Sequence, residues 1–103
     1  MMQKVALLGE FGEGRILSKK IEMKTIALVK IQEKVFAFDD RCTHKHYPLS
    51  SGFIDDPEKA IIQCAFHGAK FDLHTGKVVS LPATETLKVY PTEIKGGEVW
   101  VDV

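Results

Sequence analysis

The feature that most limits what this chain can become is a split set of metal ligands. Its only two cysteines each precede a histidine, in Cys42-Thr43-His44 and in Cys64-Ala65-Phe66-His67. The first pair lies just upstream of Pro48-Leu49-Ser50-Ser51-Gly52, and the second runs into Gly68. Two thiolates and two imidazoles from two separate loops make a four-point metal site. The rest of the chain then has to be a scaffold that holds two loops side by side. One zinc ion accepts such a donor set, but zinc fingers usually present two cysteines together and then two histidines. The order Cys, His, Cys, His suits a two-metal cluster better. A disulfide between Cys42 and Cys64 is the competing use, and a cytoplasmic setting disfavours it.

The segments around these pairs read as short strands. Residues 5–8 are a first apolar run, and Gly9, Gly12 and Gly14 make the next stretch rich in turns. Residues 15–23 carry apolar side chains among lysines and are strand-like. Residues 25–31 are strongly β-branched, and 35–38 are apolar again after the polar gap Gln32-Glu33-Lys34, a spacing that predicts an antiparallel hairpin. Asp39, Asp40 and Arg41 lead out of it into Cys42. Residues 43–52 read as a loop and 55–59 as an acidic turn, with room for a short helix only near 57–60. Residues 60–63 are a buried-strand candidate that runs directly into Cys64, so both ligand pairs follow a strand. Residues 69–73 alternate, and 74–77 form a tight turn with Gly76 at its left-handed position. Residues 87–90 and 99–103 also alternate and read as a final hairpin through Gly96-Gly97. Short strands at close intervals, with no long helical period, predict an all-β sandwich or barrel, with residues 1–103 as one domain.

Composition narrows the function. Lysine plus arginine balance aspartate plus glutamate, so the formal net charge is zero. Neither nucleic acid nor an anionic membrane is the expected partner. No apolar run approaches the roughly 20 residues that span a bilayer, and the first ten residues hold too short an apolar stretch for a signal peptide. A soluble cytoplasmic protein is expected. The absence of asparagine hints at a thermophilic source.

Residues 42–76 resemble a Rieske-type ferredoxin. The resemblance rests on Cys42-Thr43-His44, Cys64-Ala65-Phe66-His67-Gly68-Ala69 and Phe71-Asp72-Leu73-His74-Thr75-Gly76, with Leu49-Ser50-Ser51-Gly52 and Leu81-Pro82-Ala83 in support. It implies a Rieske-type antiparallel β-sandwich or barrel carrying a small cluster-binding subdomain of two loops, at about residues 42–83. It also implies one [2Fe–2S] cluster per chain, with Cys42 and Cys64 on one iron and His44 and His67 on the other. Two thiolates cancel the formal charge of the oxidised core, whereas four would leave a dianion, so the reduction potential lies above that of all-cysteine ferredoxins. High-potential relatives carry a disulfide between the ligand loops and hydroxyls aimed at the sulfurs. The matching positions are Tyr47 and Phe66 for the disulfide, and Ala69 and Phe71 for the hydroxyls. A low-potential centre follows, at roughly −150 mV, with the imidazoles facing solvent and reduction coupled to protonation at alkaline pH.

The implied role is a one-electron carrier, not a catalyst, between a flavin-containing NAD(P)H reductase and a terminal oxygenase. With the chain ending at Val103, no oxygen chemistry of its own is expected. Two other readings remain open at this point: a small Rieske-like subunit of a nitrite reductase or other redox complex, and a zinc-stabilised interaction module. Elsewhere the blander readings are preferred. His46 reads as an exposed loop residue, His74 as a solvated turn residue, Asp55, Asp56 and Glu58 as a solvated turn, and Trp100 as core. Pro82 reads as part of a loop that covers the cluster.

Overall fold

The β-branched run becomes the central strand of the molecule. In the computed structural model, which describes residues 2–43, 47–66, 68–81 and 83–103, strand β3 spans Lys24–Ile31. Its Ile26, Ala27, Leu28 and Val29 are all fully buried. Successive side chains of a strand point to opposite faces, so this strand feeds two cores. Ala27, Val29 and Ile31 join a core that holds Phe38, Leu49, Ile62, Phe71 and both cysteines. Ile26 and Leu28 join the other core, with Val35, Ala37, Tyr90, Val99 and Val101.

Three antiparallel sheets produce this arrangement. The middle sheet is ordered β2 (Ile16–Ile21), β3, β4 (Lys34–Asp39) and β9 (Val89–Tyr90). One core lies between it and the sheet of β1 (Met2–Leu7), β11 (Glu98–Asp102) and β10 (Thr92–Lys95). The other lies against β5 (Phe53–Asp56), β6 (Ile61–Gln63), β7 (Lys70–Asp72) and β8 (Val78–Ser80), a simple meander. The expected all-β antiparallel architecture is the one that forms. The β3–β4 hairpin has the expected register, Ala27 opposite Phe38 and Ile31 opposite Lys34. Gly76 has φ +80°, as its turn required.

Four details differ from the sequence reading. First, residues 87–90 do not pair with the last strand. Val89 and Tyr90 pair with Phe38 and Ala37 of β4, and the hairpin partner of β11 is β10. Pro91, which has no amide hydrogen to give a ladder, marks where the chain leaves the middle sheet. Second, the strand expected to reach Met23 stops at Ile21: Glu22 turns at φ 56° and Met23 is 92% exposed. Third, the first strand runs from Met2, and Leu8–Glu10 forms a 3-10 turn instead of continuing it; Leu49–Ser51 forms another. Fourth, Trp100 is not core. It sits between buried Val99 and Val101 in the strand, so it points the other way, half-buried with the Lys95 ammonium 5.5 Å above its ring.

Candidate metal centre

Cys42 lies three residues beyond β4, and Cys64 follows β6 at once. Both are 0% exposed, are not disulfide-bonded and belong to the same core. The two loops close in the same way. The Cys42 amide donates to the Tyr47 carbonyl at 2.7 Å, and the Cys64 amide donates to the Ala69 carbonyl at 2.8 Å. Each cysteine thus starts a loop pinned to the fifth residue beyond it. The second loop is tightened further by Gly68, whose amide donates back to the Cys64 carbonyl at 3.1 Å with φ +74°, a conformation suited to glycine.

Side chains brace the first loop from below. Asp40, two residues before Cys42, is buried, and its carboxylate accepts three hydrogen bonds. They come from the Ser50 amide at 2.6 Å, the Ser50 hydroxyl at 2.7 Å and the Ser18 hydroxyl of β2 at 2.7 Å. This ties the far end of the loop to its start and both to the edge of the middle sheet. Thr43 donates its hydroxyl to the Glu85 carbonyl at 2.9 Å, fixing the loop to the segment before β9. Gly52 brings the loop's exit onto the strand that carries the other cysteine. A Cβ there would lie 2.1 Å from the Gln63 carbonyl oxygen, so only glycine fits. Across the top, the rings of Tyr47 and Phe66 stack, with centroids 4.2 Å apart and planes 24° from parallel.

The structure therefore brings Cys42 and Cys64 into one core on two matched loops. His44 and His67 lie outside the described residues, as do His46 and Pro82, so the expectations for solvent-facing imidazoles, for an exposed His46 and for a covering Pro82 fall there too. Among the described residues, no group of three or more His, Cys, Asp or Glu side chains gathers in a way that could hold a metal ion. His74 is exposed in its turn, with Nδ1 3.2 Å from Asp72 and its ring edge-on to Phe36. Asp55 pairs with Lys70 at 3.1 Å, and Asp56 accepts the Glu58 and Lys59 amides, so this acidic turn is held by its own neighbours. Ala69 and Phe71 are fully buried in the core that holds the cysteines, and neither brings a hydroxyl.

A buried, sulfur-bearing core edge suits a cofactor bound through thiolates. Two thiols with no disulfide and no water access are a fitting donor set for one iron of an iron–sulfur cluster, and the rigid loops supply the geometry. Sequence reasoning missed Asp40, Ser50 and the Tyr47–Phe66 stack. Asp40 had no distinguishing signal, because it stands in the charged run Asp39-Asp40-Arg41 and reads there as one more solvated side chain. The ring pair had one: Tyr47 and Phe66 are the positions matching a disulfide between the ligand loops, and the rings meet where that bond would lie.

Comparison with known proteins agrees with this geometry. Residues 1–91 match the Rieske [2Fe-2S] domain. The chain is 35% identical over 96 residues to the ferredoxin component of the naphthalene 1,2-dioxygenase system of Pseudomonas aeruginosa, covering 93% of this chain and 89% of that one. Among solved structures it is similar to the ferredoxin of carbazole 1,9a-dioxygenase from Nocardioides aromaticivorans IC177, with a TM-score of 0.91, 25% identity, and 97% and 95% of the two chains covered. A chain from a complex of reduced oxygenase and oxidized ferredoxin in carbazole 1,9a-dioxygenase superposes with a TM-score of 0.87 at 33% identity, covering 97% of this chain and 100% of that one.

Proposed function

This chain belongs to the Rieske [2Fe–2S] domain family, and from that membership we propose that it is the ferredoxin component of a ring-hydroxylating dioxygenase system. It carries single electrons and catalyses no reaction of its own. When bound, the [2Fe–2S] cluster supplies one reversible electron. In this assignment Cys42 and Cys64 hold one iron, and His44 and His67 hold the other. The observation that carries it is the pair of wholly buried thiols on two loops closed by the same backbone hydrogen bond. Such a frame holds its ligands in place by packing and by hydrogen bonds behind them, which a preorganised metal site requires.

Residues 1–103 act as one domain, with the cluster-binding part at about 42–83. Both ligand loops and the whole β5–β8 meander fall in that stretch. The acceptor is a terminal oxygenase, in keeping with the dioxygenase-system ferredoxins to which the chain is similar. The donor is a flavin-containing NAD(P)H reductase. Among the described residues, no helix is long and apolar enough to cross a membrane, and a thiol pair without a disulfide suits the reducing cytoplasm.

The test is the electron paramagnetic resonance spectrum of the dithionite-reduced protein, with iron and sulfide assayed on the same sample. A rhombic signal with an average g below that of all-cysteine [2Fe–2S] ferredoxins, with equal iron and sulfide, is expected. Zinc in place of iron would overturn the electron-transfer reading. Reoxidation of the reduced protein by a terminal oxygenase, monitored by loss of that signal, then tests the acceptor.

A further inference from the structure

We propose that the Tyr47–Phe66 stack is a clasp across the two ligand loops, and that it sets how long the protein retains its cluster. This rests on the assignment of the cluster to those loops.

The two rings are a described side-chain contact that joins one ligand loop to the other. Their centroids are 4.2 Å apart with planes 24° from parallel, a near-parallel stack within the range where aromatic pairs attract beyond simple area burial. Yet both rings are largely open to water, Tyr47 40% and Phe66 51% exposed. Exposed rings contribute little to the core, so they are poorly explained as packing. Each is tied closely to a ligand. Tyr47 supplies the carbonyl that receives the Cys42 amide at 2.7 Å. Phe66 stands between Cys64 and His67 in the chain, inside the loop closed by the Cys64–Ala69 hydrogen bond.

Three other described braces of the loops act elsewhere. Asp40 holds the first loop to its own start, Thr43 ties that loop to the Glu85 carbonyl, and Gly52 seats its exit on Gln63. None of these is a side-chain contact from one ligand loop to the other. A cluster held from two loops leaves when the loops part, so a contact that must break during parting slows departure by its own strength. Tyr47 and Phe66 are accordingly positioning residues, acting through the cysteines beside them.

The measurement is the rate of cluster bleaching in excess chelator, followed by visible absorbance, for a double-mutant cycle of Tyr47→Ala and Phe66→Ala on the loaded protein. An aromatic pair of this kind is worth a roughly two- to tenfold change in rate. Each single variant is expected to lose cluster faster by about that factor. The double variant should lose it no faster than the singles, because either change alone already opens the clasp. Tyr47→Phe, which keeps the ring, should retain the parental rate, and Tyr47→Leu, which keeps apolar bulk without a ring, should not. Far-ultraviolet circular dichroism establishes that the exposed-site variants remain folded. Parental bleaching rates in both alanine variants would overturn the clasp, and so would single effects that multiply in the double variant. If instead the parent protein carried no iron and sulfide at all, the cluster assignment itself would have failed before the clasp was put to the test.

Discussion

Removing the Asp40 carboxylate should loosen the first ligand loop more than any other single polar change. The carboxylate accepts hydrogen bonds from Ser50 N–H, Ser50 Oγ–H and Ser18 Oγ–H at 2.6–2.7 Å, and the residue is only 9% exposed. Hydrogen bonds to a charged group contribute about 1.5–3 kcal/mol each. Their plain sum overstates the effect, because Asp40→Ala also removes the cost of burying a carboxylate and leaves hydroxyls that can turn toward water. The backbone amide of Ser50 cannot turn. A net loss of about 3 kcal/mol is the reasonable figure, a large share of the ~5–15 kcal/mol that holds a small domain together. At ~4–8 °C per kcal/mol for a domain of this size, Tm should fall by about 15 °C. Asp40→Asn keeps one carbonyl acceptor for the Ser50 amide and should cost only ~1 kcal/mol. Ser18→Ala and Ser50→Ala each remove one hydroxyl bond and should cost a similar amount. Thermal unfolding by circular dichroism, run on the loaded protein and after chelator treatment, measures all four. An Asp40→Ala variant within about 5 °C of the parent would refute the reasoning, since three short hydrogen bonds to a buried carboxylate could not then be structural.

Other outcomes follow from the same structure. The midpoint potential is expected at roughly −150 mV, because buried Ala69 and Phe71 offer no hydroxyl; protein-film voltammetry reading above zero would contradict it. Phe71→Tyr should raise that midpoint by about 40 mV if the new hydroxyl gains ~1 kcal/mol on reduction, and an unchanged value in a folded, loaded variant would place the hydroxyl out of reach of the sulfur. Gly52→Ala should yield little loaded protein, since its Cβ would press on the Gln63 carbonyl at 2.1 Å; normal iron content per chain would count against the close approach. The Tyr90 hydroxyl is held well above the usual tyrosine range, first by burial and then by its 2.5 Å hydrogen bond to Asp39. A raised folded-state pKa means that this stabilisation is complete below the ordinary tyrosine pKa of about 10 and is lost as pH climbs through the folded value. Tyr90→Phe should therefore be less stable than the parent at neutral pH, with a gap that narrows above about pH 10, as followed by urea unfolding at a series of pH values.

What the sequence revealed and what it concealed divide by range along the chain. The ligand pairs, the β3–β4 hairpin and the Gly76 turn are local patterns, each carried by a few neighbouring residues; the hairpin and the turn form where they were expected, and both cysteines enter one core. The architecture was legible at the level of class but not of pairing. Alternation at residues 87–90 says that a strand exists and nothing about its partner, and the intervening β10, with only Ile94 apolar, carries too weak a pattern to announce itself as the rival. The β-branched run signalled a strand, yet which of Ile26, Ala27, Leu28 and Val29 serves which core depends on sheets formed by strands distant in the chain, from β1 at the start to β11 at the end. The same holds at the site. Ser18 reaches Asp40 across 22 positions, and Tyr47 meets Phe66 only after β5 and β6 have brought the two loops together. The donors that define the chemistry are therefore written in short motifs, because a metal accepts only a few residue types. The residues that hold those donors are drawn from ordinary serines, aspartates and rings; a resemblance marked the two ring positions, and only the folded topology distinguishes Asp40, Ser18 and Ser50 from the rest.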